Sequence, residues 1–315
     1  MILVTGGMGF IGIHVARELA AHDDVVVGYN RTKRDPAEME RLIGAKVLTQ
    51  HVDVASPYSL ARAVATHHPT GIVHLAVPAL GAMPPAEETL TNVTGLVNVL
   101  EAASVGGVER VSIASSLAVY AGLDTGPFRE DRDLPVTSTS ATSAMKKAEE
   151  ILALHFADRT GLDLLLLRIG IVYGPLYQTL ANPAGRLTYL AVKGELPRGA
   201  AASWSPAQLL GGLDLCYVED CARAIATIHR ARSTQHRIYN VGGGRTVAAD
   251  ELLNAVERAV PGAALPGELR HTGALERSDG HMDISRARDE LGVEPRFGIE
   301  EAIAEYAAWL RDHDR

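Results

Sequence analysis

The first twelve residues, MILVTGGMGFIG, constrain the fold of this chain more than any other stretch. Ile2, Leu3 and Val4 form an apolar run ending at Thr5. Gly6, Gly7, Gly9 and Gly12 follow at once, and Ile11, Val15 and Leu19 then recur every four residues. The pattern predicts a buried strand, a glycine turn and an amphipathic helix. Main-chain N–H groups at a helix N-terminus favour an anion, and glycine lets the backbone approach a pyrophosphate that a side chain would block. A turn that holds no ligand has the same spacing, so the features downstream must decide.

Those features alternate. Strands are expected over 25–27, 45–48, 71–75, 108–114 and 163–168, separated by helices that include 56–67, introduced by Ser56-Pro57, and 140–160. In the helix after the fourth strand, Leu90, Val93, Val97 and Leu100 share one face, beside Asn92. Alternation at intervals of roughly 20 to 30 residues implies an α/β fold, a Rossmann-type doubly wound parallel sheet with right-handed crossovers. Residues 1–175 are expected to form an NAD(P)-binding domain. Past Pro175 the pattern loosens, and 176–315 read as a smaller C-terminal substrate region with segments returning to the first domain. Short strands at 215–218 and 238–241 precede helices starting near Glu219 and Ala248, and a last helix carries Ile299, Ile303, Tyr306 and Leu310 on one stripe.

The second strand runs into Gly28, Tyr29, Asn30 and Arg31, with Lys33 and Arg34 beyond. No carboxylate stands where one would hydrogen-bond the ribose of NAD, and Arg31 suits a 2′-phosphate, so NAD and NADP both stay open. A solvated basic loop is the plain alternative.

Among 315 residues, 47% are hydrophobic and 22% charged, as in a globular protein with a sizeable core. A net charge of −8 without clustered Lys and Arg argues against nucleic acid as a partner and for small molecules. No apolar stretch reaches the roughly 18 residues of a membrane span. The first strand leaves no room for a signal peptide, and Cys216 and Cys221 are too few for a disulfide framework, so a cytoplasmic location is expected. The histidines show no metal spacing, and both they and the pairs Glu87-Glu88 and Glu149-Glu150 read as surface or capping residues.

Taken in order, the residues resemble the extended short-chain dehydrogenase/reductase family, the NAD-dependent epimerase/dehydratase group. The Gly6, Gly9, Gly12 spacing is G-x-x-G-x-x-G, and Thr5 to Gly12 is similar to the family's opening. His74-Leu75-Ala76 resembles the end of its fourth strand, and Asn92 falls in an N-V-x-G-x-x-N-V-L-like stretch. Ser115-Ser116-Leu117-Ala118-Val119-Tyr120 looks like its S-S-x-x-V-Y segment. Leu167-Arg168 through Val172-Tyr173-Gly174-Pro175, Tyr217-Val218-Glu219-Asp220 and Tyr239-Asn240-Val241-Gly242 follow in the family's order. The resemblance implies a homodimer formed through the two long helices. It implies a cofactor held by Gly6, Gly9, Phe10, Ile11 and Gly12, with Asn30, Arg31, Asp53, Val54, Leu75, Ala76 and Lys146 along it. Ser116 would hydrogen-bond the substrate oxygen undergoing oxidation.

The family's catalytic pair is a Tyr followed four residues later by a Lys, whose charge lowers the phenol's pKa from about 10. Here the Lys-x-x-x-Glu register places Lys146 and Glu150, which leaves Thr142 where the tyrosine should stand. A slip of one residue gives Ser143 and Lys147, with the same difficulty. Two substrate positions have also changed: the family's sugar-binding Asn is Ile171, and a diphosphate-gripping Arg is Leu213, while Arg277 falls where a second phosphate-binding Arg belongs. Three readings stay open. In the first, a nucleotide-activated sugar is epimerised or dehydrated with Ser116, Thr142 and Lys146 as catalytic residues and a proton-transfer group other than that tyrosine, Tyr120 being one candidate. Tyr120, Ile171 and Arg277 would then line the substrate site with Ser116. In the second, NAD(P)-linked reduction, epimerisation or elimination acts on a smaller biosynthetic intermediate. In the third, the chain is a sensor that binds NAD(P) without turnover.

Overall fold

The computed structural model describes residues 1–78, 83–197, 213–263, 265 and 280–313. Seven parallel strands form the central sheet: β1 (Ile2–Thr5), β2 (Val25–Tyr29), β3 (Leu48–His51), β4 (Gly71–His74), β5 (Arg110–Ser116), β6 (Asp163–Ile169) and β9 (Ile238–Val241), in the order β3-β2-β1-β4-β5-β6-β9. The chain winds outward in both directions from β1 and β4, so the crevice at their C-terminal ends is the switch point where α/β sheets take ligands. Two further strands, β7 (Ile171–Tyr173) and β8 (Leu215–Tyr217), pair in a small parallel sheet of their own.

The helices cover both faces. On one side α1 (Phe10–Ala20), α2 (Pro36–Ile43), α7 (Val218–Arg230) and α9 (Ser285–Leu291) enclose a core that includes Val4, Leu19, Val27, Leu167 and Ile225. On the other, α3 (Pro57–His67), α4 (Pro85–Val105) and α5 (Ala141–Thr160) bury Leu3, Leu60, Leu100, Ile113 and Leu166. A third cluster joins β7 and β8 to α6 (Pro183–Lys193), α8 (Ala249–Ala259) and α10 (Ile299–Asp312). Here the α10 stripe of Ile299, Ile303, Tyr306 and Leu310 is buried as its spacing predicts.

Some expectations need correction. The third strand lies three residues later than 45–48, because Leu48–His51 pairs residue for residue with Val26–Tyr29. On α4 the sheet-facing side is Asn92, Gly95, Leu96, Val99, Leu100 and Ala103, whereas Leu90 and Val97 point outward. Glu88, Glu149 and Glu150 are not solvated but buried. His14, His74 and His229 are buried as well, and among the described residues no group of His, Cys, Asp and Glu could hold a metal. Both cysteines are free and buried. No helix among the described residues is long and apolar enough to cross a membrane.

Candidate active site

The glycine turn closes tightly on the sheet. Gly6 has φ +69°, and a Cβ there would come within 2.9 Å of the Ala76 nitrogen. The Gly7 N–H donates to Gly28 O at 2.9 Å, tying the turn to β2. A Cβ on Gly12 would sit 2.2 Å from Gly6 O, so this glycine lets α1 press against the turn. Gly9 differs: its Cβ would meet only Gly6 O, at 3.1 Å, and otherwise open space. Gly9 is also the N-cap of α1 and makes no side-chain cap hydrogen bond, and the first helical bond runs from Ile13 N–H to Gly9 O. The amides of Phe10, Ile11 and Gly12 therefore precede the helical ladder, as anion binding requires. This cradle, which a Cβ would fill, fits a pyrophosphate.

Beside the cradle, Leu75 and Ala76 leave β4 half-buried, and Leu75 N–H donates to Thr5 O at 3.1 Å. Below them, His74 Nδ1 lies 2.7 Å from Thr5 Oγ1. Burial, with Lys146 nearby, lowers the His74 pKa to about 3, so the ring is neutral. At the far end, Asp53 Oδ1 accepts from Asn30 Nδ2 at 3.3 Å and from Ala55 N–H at 3.1 Å. Val54 packs under Gly95, and its carbonyl accepts from Asn98 Nδ2 at 2.9 Å. Arg31 is exposed.

Ser116 ends β5. Its Oγ accepts from Ala118 N–H at 3.1 Å, capping a short 3-10 turn and leaving the hydroxyl proton to be donated elsewhere. Thr142 lies in the first turn of α5, which is capped by Ser140, and Lys146 follows one turn later. The two neighbouring lysines part company. Lys146 Nζ donates to Ala114 O and Glu149 Oε2, each at 2.8 Å, and so reaches the end of β5 near His74. Lys147 Nζ is surrounded by the carbonyls of Ala121, Pro135 and Thr137 and clamps a loop instead.

Tyr120 stands away from this group. It is 2% exposed, its hydroxyl donates to Asn240 Oδ1 at 2.7 Å, and Arg168 Nη1 donates to it at 2.9 Å. Burial raises its pKa, and both hydrogen-bond partners of the phenol lie inside the protein. Arg168 also grips Glu150 with Nε and Nη2 at 3.0 and 2.8 Å. Ile171 opens β7 and Leu213 is buried against Val247, so neither offers a polar group. Arg277 lies outside the described residues.

Sequence reasoning did not foresee the burial of three polar groups or the partner of Lys146. Glu149 pairs with it. Asn92 Oδ1 and Ser143 Oγ are buried without a hydrogen-bond partner. Asn92 and Ser143 were both named from the sequence, but the charged run Lys146-Lys147-Ala148-Glu149-Glu150 reads as a solvated face and gave no signal of burial.

A seven-stranded doubly wound sheet with a glycine cradle at its switch point defines a dinucleotide-binding protein. The sequence profile of the NAD dependent epimerase/dehydratase family matches residues 2–242, and the chain belongs to that family. It is 27% identical over 331 residues to UDP-glucuronate 4-epimerase of Thermodesulfobacterium geofontis, covering 99% of this chain and 96% of the relative. The crystal structure of Thermus thermophilus UDP-glucose 4-epimerase complexed with NAD is 30% identical, with a TM-score of 0.78 and 98% of each chain covered. UDP-glucose 4-epimerase of Thermotoga maritima, solved with UDP-glucose, shares the fold at a TM-score of 0.81 and 24% identity, over 99% of this chain and 98% of that one.

Proposed function

We propose that the protein binds NAD(P) across the ends of β1 and β4 and uses it to oxidise transiently a hydroxyl-bearing carbon of a nucleotide-activated sugar, leading to epimerisation or dehydration. The observation that carries this reading is the Gly9 cradle lying at the same sheet edge as Ser116 and Lys146. The relatives' UDP-sugar activities support it.

In this reading Gly6, Gly9, Phe10, Ile11 and Gly12 hold the pyrophosphate. Asp53 and Val54 border the adenine, Asn30 and Arg31 the adenosine ribose, and Leu75 and Ala76 the length of the cofactor. Lys146 holds the nicotinamide ribose. When bound, the nicotinamide supplies the hydride acceptor. Ser116 donates its free proton to the substrate oxygen, and Thr142 positions that oxygen from the first turn of α5. Neither alcohol ionises near neutral pH, so we assign the departing proton to water between them. Residues 1–175 serve the cofactor and 176–315 mainly the substrate, with Arg277 and Ile171 on the substrate side.

A second reading, a smaller and less charged substrate, is favoured by Ile171 and Leu213, which put apolar surface where a diphosphate sugar needs an amide and a guanidinium. The chain is further read as a cytoplasmic homodimer through α4 and α5, supported by Leu90 and Ile151, which are 67% and 68% exposed.

Incubation with NAD(P) and a panel of UDP- and dTDP-sugars, followed by NMR, tests the proposal. Epimerised or dehydrated product that disappears in Ser116→Ala and Lys146→Met supports it. Cofactor binding with no conversion of any sugar nucleotide, but turnover of small hydroxy or keto compounds, would establish the second reading; no turnover at all would make the protein a sensor.

A further inference from the structure

The loop leaving β2 is basic where a ribose diol would otherwise need an acid. A carboxylate at this strand end accepts from the ribose hydroxyls of NAD and repels a phosphate there. The residues present are Tyr29, Asn30, Arg31, Thr32, Lys33 and Arg34. Of the nearby acids, Asp53 and Asp35 are engaged elsewhere, and Glu38 pairs with Arg34. Asp53 takes Asn30 and the Ala55 amide, and Asp35 caps α2 by accepting from the amides of Ala37 and Glu38 at 2.9 and 3.4 Å. Glu38 accepts from one arm of Arg34, at 2.5 Å.

Arg34 is held against the cradle itself. Its backbone N–H donates to Met8 Sδ at 3.2 Å, and Met8 lies between Gly7 and Gly9. Its side chain is 17% exposed, and Nε is buried with no hydrogen-bond partner. A guanidinium donor withdrawn from water and left unpaired is costly unless a ligand supplies the acceptor. Arg31 is exposed and forms no ion pair among the described residues, and Lys33 Nζ sits 5.8 Å over the Tyr29 ring. Three cations, of which Arg34 is paired through one arm with Glu38, thus flank one strand end, next to a cradle suited to the pyrophosphate.

We infer that this loop is a subsite for the 2′-phosphate of NADP(H), with Arg31 and Arg34 as its donors and Lys33 as a flanking charge, so that the protein selects NADP(H) over NAD(H). The inference rests on the dinucleotide reading above and sets this chain apart from relatives solved with NAD. A phosphate monoester carries up to two negative charges and three acceptor oxygens, which match a planar guanidinium.

Calorimetric titration of the full chain with NADP+, NAD+, 2′,5′-ADP and 5′-AMP provides the test. Two charge-assisted contacts predict a preference of about tenfold to a hundredfold for NADP+ over NAD+, and for 2′,5′-ADP over 5′-AMP. The preference shrinks with added salt. Arg31→Ala, at an exposed position that keeps the fold, and Arg34→Gln each reduce the ratio, and Arg31→Glu reverses it. NAD+ bound as tightly as NADP+ or more tightly overturns the subsite while the dinucleotide site stands. An NADP+ preference that survives both single variants overturns the assignment to these arginines. Binding of neither dinucleotide removes the subsite and the dinucleotide reading together.

Discussion

The Lys146 ammonium lies 2.8 Å from the Glu149 carboxylate one turn along α5, and each side chain is only 7% exposed. A lysine that lowers the pKa of a phenol must present an uncompensated charge, and here a buried carboxylate cancels much of that field. A threonine rather than a phenol at residue 142 and a lysine paired with a carboxylate are thus consistent with each other. Thr142→Tyr is expected to raise reductase-type turnover. Adding Glu149→Gln should shift the rising limb of its pH–rate profile about one unit lower. Coincident limbs for the single and double variants would show that Glu149 exerts no such field.

The Glu150–Arg168–Tyr120–Asn240 chain links α5, β6, the 3-10 turn and β9 inside the protein. Removing one partner leaves a buried charge unpaired, so Arg168→Ala should cost about 3 to 5 kcal/mol in urea unfolding. Tyr120→Phe should cost about 1 to 3 kcal/mol and leave kcat within a few-fold. Loss of kcat at unchanged stability would instead make Tyr120 the proton carrier.

Gly9 and Gly12 should separate binding from folding. Gly9→Ala adds a methyl that meets only Gly6 O, so the unfolding midpoint stays close to wild type while dinucleotide affinity falls at least about tenfold. Gly12→Ala forces its methyl to 2.2 Å from Gly6 O and should lower both. Calorimetry and urea unfolding on the same preparations check the contrast.

Stability should fall as pH drops from neutral. Burial, with a neighbouring arginine or lysine in each case, lowers His14 to about 4 and His74 and His229 to about 3. These rings are neutral in the fold, but in the unfolded chain they protonate near the ordinary imidazole value of 6.5. The unfolded state therefore binds more protons throughout that window. Each histidine adds up to about 1.4 kcal/mol of loss per pH unit. Urea midpoints between pH 7 and 5 should show the slope, and His74→Gln should make it shallower; an equal slope would mean His74 titrates normally.

Leu90 and Val97 of α4 and Ile151 and Leu152 of α5 leave apolar area exposed on the two long helices. If two copies bury it, Leu90→Glu with Ile151→Glu should convert the protein to a monomer in sedimentation velocity without altering its circular dichroism. A wild-type protein that sediments as a monomer at micromolar concentration would remove the dimer.

The strand, turn and helix at the N-terminus were legible because apolar period and glycine spacing are local. The same holds for the Ser56 cap, which the structure places one residue before α3. Which α4 side chains face the sheet was not legible, because Leu90 and Leu100 are equally apolar and only the neighbouring α3 and α5 decide between them.

By itself, the sequence determined the class of fold, the glycine turn before α1 and the lack of a phenol at residue 142, since each depends on residue type within one or two turns of chain. Only the tertiary structure decided that Lys146 rather than Lys147 reaches the sheet edge, that Tyr120 is sealed in the core, and that Glu149 is an ion-pair partner rather than a surface charge. Those outcomes depend on which segments pack together, and burial sets the charge and hydrogen-bonding state of a side chain from partners far away in the chain.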